Sequence, residues 1–139
     1  MKSTNELFEE IEKTADIDDY LNDNKEIVSA KKLSTILESL LVQNGLKKAD
    51  VITESEVNKI YAYQLFSGVK TSPERDKVIA LLMAMHLDLD EIQSVLKTAG
   101  FAPLYPKIKR DSIIIYCIRK GRSVLDTNAE LYEHSEPTL

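Results

Sequence analysis

Apolar residues recur at the spacing of an amphipathic helix from Ser29 onward. Five of them fall at i, i+3, i+4, i+7 and i+8, on one side of a helix: Leu33, Ile36, Leu37, Leu40 and Leu41. Asn44 and Gly45 follow, and such a pair supplies the left-handed residue that ends many helices. The pattern predicts a helix that begins near Ser29 and stops before Gly45.

Four further helices are predicted before Gly100. The second covers 48–53, and the third starts at Asn58 and ends at Ser67. Ser72 and Pro73 predict the start of a fourth helix, with proline at the first helical position, where its missing N–H costs nothing. A fifth helix begins at 88, where an acidic residue can cap it, and ends at 99.

Residues 74–104 resemble residues 109–139 when the two segments are aligned with a shift of 35 positions. The matched residues are Arg75-Asp76 with Arg110-Asp111, Val78-Ile79 with Ile113-Ile114, and Leu96 with Leu131. The alignment predicts a second copy of the fourth and fifth helices, with Ser123 and Asp126 capping the last helix. Chance similarity between two amphipathic helix pairs is the alternative.

The N-terminus has its own helical signal. Ser3 and Glu6 have the spacing of a capping box, and Leu7, Phe8 and Ile11 follow as a short apolar stripe. The expected fold class is all-α. Its parts are an acidic N-terminal helical arm over 1–28, a five-helix domain over 29–104 and a C-terminal helical extension over 105–139.

The composition is that of an ordinary globular protein. The 139 residues are 43% hydrophobic and 29% charged. The longest apolar run, 78–85, has eight residues, against about 20 for a membrane-spanning helix. The first residues include early acids and lack an apolar signal segment. We therefore expect a cytoplasmic protein that does not cross a membrane.

Residues suited to catalysis or metal binding are scattered along the chain. They are Cys117, His86, His134, Asp88, Asp90 and Glu91. The cysteine is the only one and lies in an apolar run, where a buried, unreactive thiol is expected. The histidines are 48 positions apart, and the three acids lack the glycine of a calcium loop, so helix capping explains them better. We expect no metal, no cofactor and no enzyme activity.

The charge is distributed unevenly. The net charge is −5, of which residues 1–28 contribute −6 from nine acids and three lysines. A basic cluster lies nearer the C-terminus: Lys107, Lys109, Arg110, Arg119, Lys120 and Arg122. Opposite charges predict that the arm docks on this cluster or on a basic protein partner. An acidic tail that only keeps the protein soluble is the alternative.

An isoleucine-rich segment predicts self-association. Its apolar side chains surround nearly all of one short helix: Ile113, Ile114, Ile115, Cys117 and Ile118. One packing face needs less apolar surface than this. We expect part of it to contact another subunit or the arm, and a homodimer is the predicted assembly.

The third helix separates into two faces at about 100° per residue. One face carries Lys59, Ile60, Tyr63, Gln64 and Ser67, and the other carries Tyr61, Ala62, Leu65 and Phe66. Gln64 can pair with an adenine edge, Lys59 with guanine or phosphate, and Ile60 or Tyr63 can cover a thymine methyl. A solvated face of an ordinary helical hairpin is the alternative interpretation.

The segments 45–51 and 57–68, followed by Pro73, resemble the lambda-repressor-like, XRE-type helix-turn-helix family. The resemblance implies a five-helix domain that binds double-stranded DNA, often as a dimer, and regulates transcription. It implies phosphate contacts from Lys48 and from Lys70, which follows the recognition helix. It also makes Asn58 the cap of that helix and matches Lys59, Ile60 and Gln64 to base-reading positions.

Three positions depart from the family pattern. Ile52 stands where a small residue is usual, Glu56 replaces the glycine of the turn, and Phe66 stands where glutamate is common. The turn is therefore expected to be remodelled, or the recognition helix to begin at Thr53 with Glu56 in a capping box. The function expected is a sequence-specific DNA-binding transcriptional repressor. The alternative is a protein-interaction adaptor on the same scaffold.

Overall fold

Eight α-helices make up all the regular structure in the described part of the chain. The computed structural model describes residues 3–13, 17, 25–70 and 72–139. The helices are α1 Thr4–Lys13, α2 Lys25–Gln43, α3 Lys48–Ser55, α4 Lys59–Ser67, α5 Arg75–Ala84, α6 Leu89–Thr98, α7 Lys109–Arg119 and α8 Val124–Glu133. The predicted all-α class is confirmed for these residues.

Helix α5 lies at the centre of the hydrophobic core. Every residue from Val78 to Ala84 is buried, and a helix that is apolar on all sides has to be covered on all sides. Helices α3, α6 and α8 pack around α5, while α2 packs on α4. None of these helices is long and apolar enough to cross a membrane, as judged over the described residues.

The last two helices share this core. Ile114, Val124 and Leu131 are buried in the same cluster as the residues of α2 and α5, and α8 packs on both α3 and α5. Ile113 and Ile115 are half-buried against that cluster. Neighbouring helices thus cover more than one face of α7, while Ile113, Ile115 and Ile118 stay partly exposed. The contact expected between this segment and another subunit or the arm stays a prediction.

Helix caps follow the sequence at four of five predicted positions. The Ser3, Asn58, Asp88 and Ser123 side chains each accept a backbone N–H from three residues further on, at 2.9–3.2 Å. The predicted cap at Ser72 and Pro73 is wrong, because α5 begins at Arg75 after Glu74. There the N–H of Glu74 donates to the hydroxyl of Tyr61 at 2.7 Å, so a residue of α4 fixes this helix start.

Equivalent residues of the internal repeat make equivalent hydrogen bonds. Arg75 donates from Nε to Ala102 O at 2.9 Å and from Nη2 to Pro103 O at 3.2 Å. With the same shift of 35 positions, Arg110 donates to Pro137 O at 2.8 Å and to Thr138 O at 3.1 Å. Left-handed residues also match: His86 with Gly121, and Gly100 with Ser135. The predicted second copy is confirmed.

The two copies are joined by a reciprocal pair of ion bridges. Arg75 of the first copy contacts Asp111 of the second at 3.2 Å, and Arg110 of the second contacts Asp76 of the first at 2.9 Å. This exchange is the contact pattern of a two-fold arrangement. It brings the beginnings of α5 and α7 together.

Candidate nucleic-acid interface

Helices α3 and α4 are joined by Glu56, Val57 and Asn58. Glu56 adopts the left-handed conformation, with φ 60° and ψ 7°, and its N–H donates to Thr53 O at 3.4 Å. The turn thus keeps the geometry for which glycine is usual. The alternative start of the recognition helix at Thr53 is wrong, because Thr53 lies inside α3 and α4 begins at Lys59.

A buried serine holds this turn in place. The Ser55 hydroxyl donates to Ile52 O at 2.6 Å and accepts the N–H of Val57 at 3.2 Å. Val57 is itself buried in the core. Sequence reasoning missed Ser55, although a small hydroxyl residue just before a turn is a recognisable signal for this type of bond.

Helix α4 is anchored at both ends. The Asn58 side chain accepts the N–H of Tyr61 at 3.1 Å, and Gly68 ends the helix in the left-handed conformation with φ 77°. The Tyr61 ring is half-buried, and burial, with the nearby Glu74 carboxylate, raises the pKa of its hydroxyl. Tyr61 therefore stays protonated at neutral pH while its oxygen accepts the Glu74 N–H.

The two predicted faces of α4 are confirmed. Ala62, Leu65 and Phe66 are buried in the core. The opposite face presents Lys59, Ile60, Tyr63, Gln64 and Ser67, with Gln64 half-buried and the rest exposed. Ile60 is 71% and Tyr63 41% exposed, which is unusual for side chains of their size. The fixed inner face makes the outer face a rigid surface.

A concave surface lies beside this outer face. A cleft of about 270 Å³ between α3 and α4 is lined in part by Ile52, Thr53, Glu56, Lys59 and Tyr63. Ile52 itself is buried. The cleft holds one acid and one lysine, so it presents no concentrated charge of either sign.

The two lysines predicted to contact phosphate lie beside inward-facing rings. The Lys48 amine is 2.5 Å from Glu38 Oε1 and 5.1 Å from the centre of the Phe66 ring. The Lys70 amine is 4.9 Å from the centre of the Tyr61 ring. Phe66 thus provides an aromatic surface for Lys48. Neither lysine joins the outward face of α4 in this conformation.

Charge around these helices is balanced. Residues 44–74 contain four lysines and four acids. Among the described residues, no group of three histidine, cysteine or acidic side chains is arranged to hold a metal ion. Comparison with known protein families, curated proteins and solved structures finds no match to this chain. The chemistry of the α4 face is therefore the basis on which a function can be argued.

Proposed function

We propose that this protein is a sequence-specific DNA-binding regulator, a repressor, that places α4 in the major groove of duplex DNA. The observation that carries the proposal is the outward face of α4. It combines an amide, a cation and two exposed apolar side chains on a helix whose other face is fixed in the core. A major groove admits a helix of this kind.

Each residue of that face has a role in the proposed complex. Gln64 pairs with an adenine edge, and Lys59, at the first turn, contacts guanine or phosphate. Ile60 and Tyr63 cover thymine methyl groups. Ser67 extends this contact surface at the end of α4, where its hydroxyl donates to Gln64 O at 3.2 Å.

Backbone contacts in this proposal come from Lys48 and Lys70. Each side chain is partly exposed, so its amine can move to a phosphate oxygen. Lys48 would then leave Phe66 and Glu38, and Lys70 would leave Tyr61. Phosphate binding then competes with an existing intramolecular contact, which lowers the affinity gained per lysine. A two-fold dimer would place two α4 helices on two half-sites.

Selection from a random duplex library tests this proposal without knowledge of the natural site. Full-length protein should enrich a defined sequence. On that sequence, Gln64→Ala should cost about 1–3 kcal/mol of binding free energy, and much less on random DNA. Lys59→Ala should weaken binding, whereas the matched control Lys97→Ala, an exposed lysine on α6, should not. Failure to enrich any sequence would contradict the proposal.

Protein binding is the second candidate function. It is favoured by the 71% exposure of Ile60 together with the balanced charge of residues 44–74, because DNA-binding surfaces are usually basic. In this case Ile60→Asp and Tyr63→Ala should abolish capture of a protein partner from cell extract. Tyr132→Ala, an exposed tyrosine on α8, is the control, and selection from the duplex library should then enrich nothing.

A further inference from the structure

The apolar face of α1 is uncovered in the folded chain. The core contains no residue of α1, and Phe8 is 63% and Ile11 43% exposed. An isolated helix of ten residues is marginally stable in water. A stable α1 therefore needs a surface on which Leu7, Phe8 and Ile11 can be buried.

A second uncovered apolar surface lies where the two repeat copies meet. A cavity of about 620 Å³ is lined by Ala102, Pro103, Tyr105, Ile108, the paired Arg75 and Asp111, and Arg110. We name it the Tyr105 groove. Tyr105 is 50% and Ile108 51% exposed. The groove is more than twice as large as the cleft of about 270 Å³ between α3 and α4.

The charge of α1 is opposite to that of the segment 105–110, which borders the Tyr105 groove and carries Lys107 and Lys109 outside its lining. Helix α1 contains four glutamates and one lysine, while residues 105–110 contain three basic residues and no acid. Lys107 is exposed and makes no ion pair with a described residue. Lys109 donates to His134 O at 2.8 Å and lies 3.8 Å from Glu136. At helical spacing, Glu12 falls beside Phe8 at the edge of the apolar stripe.

We infer that the Tyr105 groove receives α1 of a second copy of this chain. The apolar stripe lies in the groove, and Glu12 at its edge faces Lys107 and Lys109. The chain's own α1 forms without covering Tyr105 or Ile108. In a dimer, α1 of each chain can lie in the groove of the other chain, so that the apolar stripe and the groove of both chains are buried.

This dimer is independent of DNA, so its test contains none. Sedimentation equilibrium of the full-length protein should show a dimer. The double variant Lys107→Glu, Lys109→Glu should weaken dimerisation about tenfold or more, and adding Glu12→Lys should restore part of it. Phe8→Asp and Ile108→Asp should each give monomers that still unfold in one cooperative transition, because both side chains are exposed and neither belongs to the core. Tyr132→Asp on α8 is the control.

Mixed labelling distinguishes the second copy from the chain's own arm. One copy carries a spin label at Ser3→Cys and no isotope, and it is mixed with an isotope-labelled copy that has no spin label. The spin label should broaden the amide signals near Ile108 in the isotope-labelled copy. Absence of this broadening in the mixed sample, together with broadening in a chain that carries both the spin label and the isotope, would mean that the groove takes its own α1, and would overturn the inference. The inference would also be overturned if the wild type is a monomer, or if none of these substitutions weakens dimerisation.

Discussion

Glu56 shows how a single residue can occupy a conformation that its side chain disfavours. Its φ of 60° lies in the left-handed region, where a Cβ costs on the order of 1–2 kcal/mol. The turn persists because Val57 is buried and Ser55 bonds both sides of it. Surrounding contacts therefore hold a strained residue between α3 and α4.

Relief of this strain is a measurable prediction. Glu56→Gly should raise the free energy of unfolding by roughly 0.5–1 kcal/mol, because glycine adopts this conformation freely. Ser94→Gly, at an exposed position inside α6, should instead lower it by roughly 0.5 kcal/mol. Urea denaturation of both variants gives the comparison. A loss of stability in Glu56→Gly would show that the glutamate side chain makes a stabilising contact.

Cys117 is a second residue governed by its surroundings. Burial raises the pKa of its thiol, so the native protein keeps it protonated at neutral pH. A disulfide reagent should react at least about 100-fold more slowly with the native protein than with the unfolded one at pH 8, because reaction requires opening of the fold. Equal rates would show that the thiol is accessible.

The same pKa shift predicts a pH dependence of stability. The raised native pKa contributes stability that is complete below the unfolded value of about 8.5 and falls as the pH rises through the native value. The difference in unfolding free energy between wild type and Cys117→Ala should therefore shrink between pH 7 and pH 9.5. A constant difference would contradict the shift.

At the scale of elements, the two helix pairs are held by ion bridges of unequal burial. Asp111 is buried and also accepts the Tyr105 N–H at 3.0 Å, while Asp76 is half-buried. A bridge with a buried partner is costly to break, because removing the carboxylate leaves Arg75 without its counter-ion. The two bridges therefore match in their contacts, and we expect them to contribute unequally to the free energy of unfolding.

A comparison of two alanine variants tests this asymmetry. Asp111→Ala should lower the free energy of unfolding by about 3–5 kcal/mol. Asp76→Ala should lower it by about 1–2 kcal/mol, since the Asp76 side chain is 35% exposed against 5% for Asp111, and Arg110 keeps its bonds to Pro137 and Thr138. Chemical denaturation at neutral pH gives both values. Equal losses would mean that burial does not distinguish the two bridges.

For the whole molecule, the shared core predicts one unfolding transition. Leu37 of α2 and Leu131 of α8 are both fully buried in it. Leu37→Ala and Leu131→Ala should each lower the free energy of unfolding by about 2–5 kcal/mol and keep a single transition with an unchanged denaturant slope. Tyr132→Ala, exposed on α8, should change it by less than about 0.5 kcal/mol. A biphasic curve in Leu131→Ala would indicate that α7 and α8 unfold separately.

The basic cluster predicted to receive the arm is largely engaged within the fold. Arg110 pairs with Asp76, and Arg122 pairs with Glu130 at 2.8 Å. Arg122 and Lys120 also lie over the Tyr116 ring, at 5.1 and 5.7 Å. Electrostatic attraction for an acidic segment therefore falls mainly on the exposed side chains of Lys107 and Arg119, which have no ion pair or ring contact with a described residue, while Lys109 also donates to His134 O. The sequence does not contain this distinction.

The sequence by itself determined the helices, most of their caps, the repeat and the two faces of α4. These depend on local spacing: apolar residues 3 or 4 positions apart share a face, and Asn58, Asp88 and Ser123 bond N–H groups three residues away. Such signals are contained within a few turns of the chain and need no knowledge of its partners.

The features that depend on residues distant in the sequence were decided only by the tertiary structure. Helix α5 begins where the Glu74 N–H donates to Tyr61, 13 positions away. Glu56 stays left-handed because of the contacts around its turn, and neighbouring helices cover α7 on more than one side. The tertiary structure also turns Lys48 and Lys70 toward aromatic rings. Each outcome depends on which side chains meet across helices, and hydrophobic periodicity carries no information about those pairings.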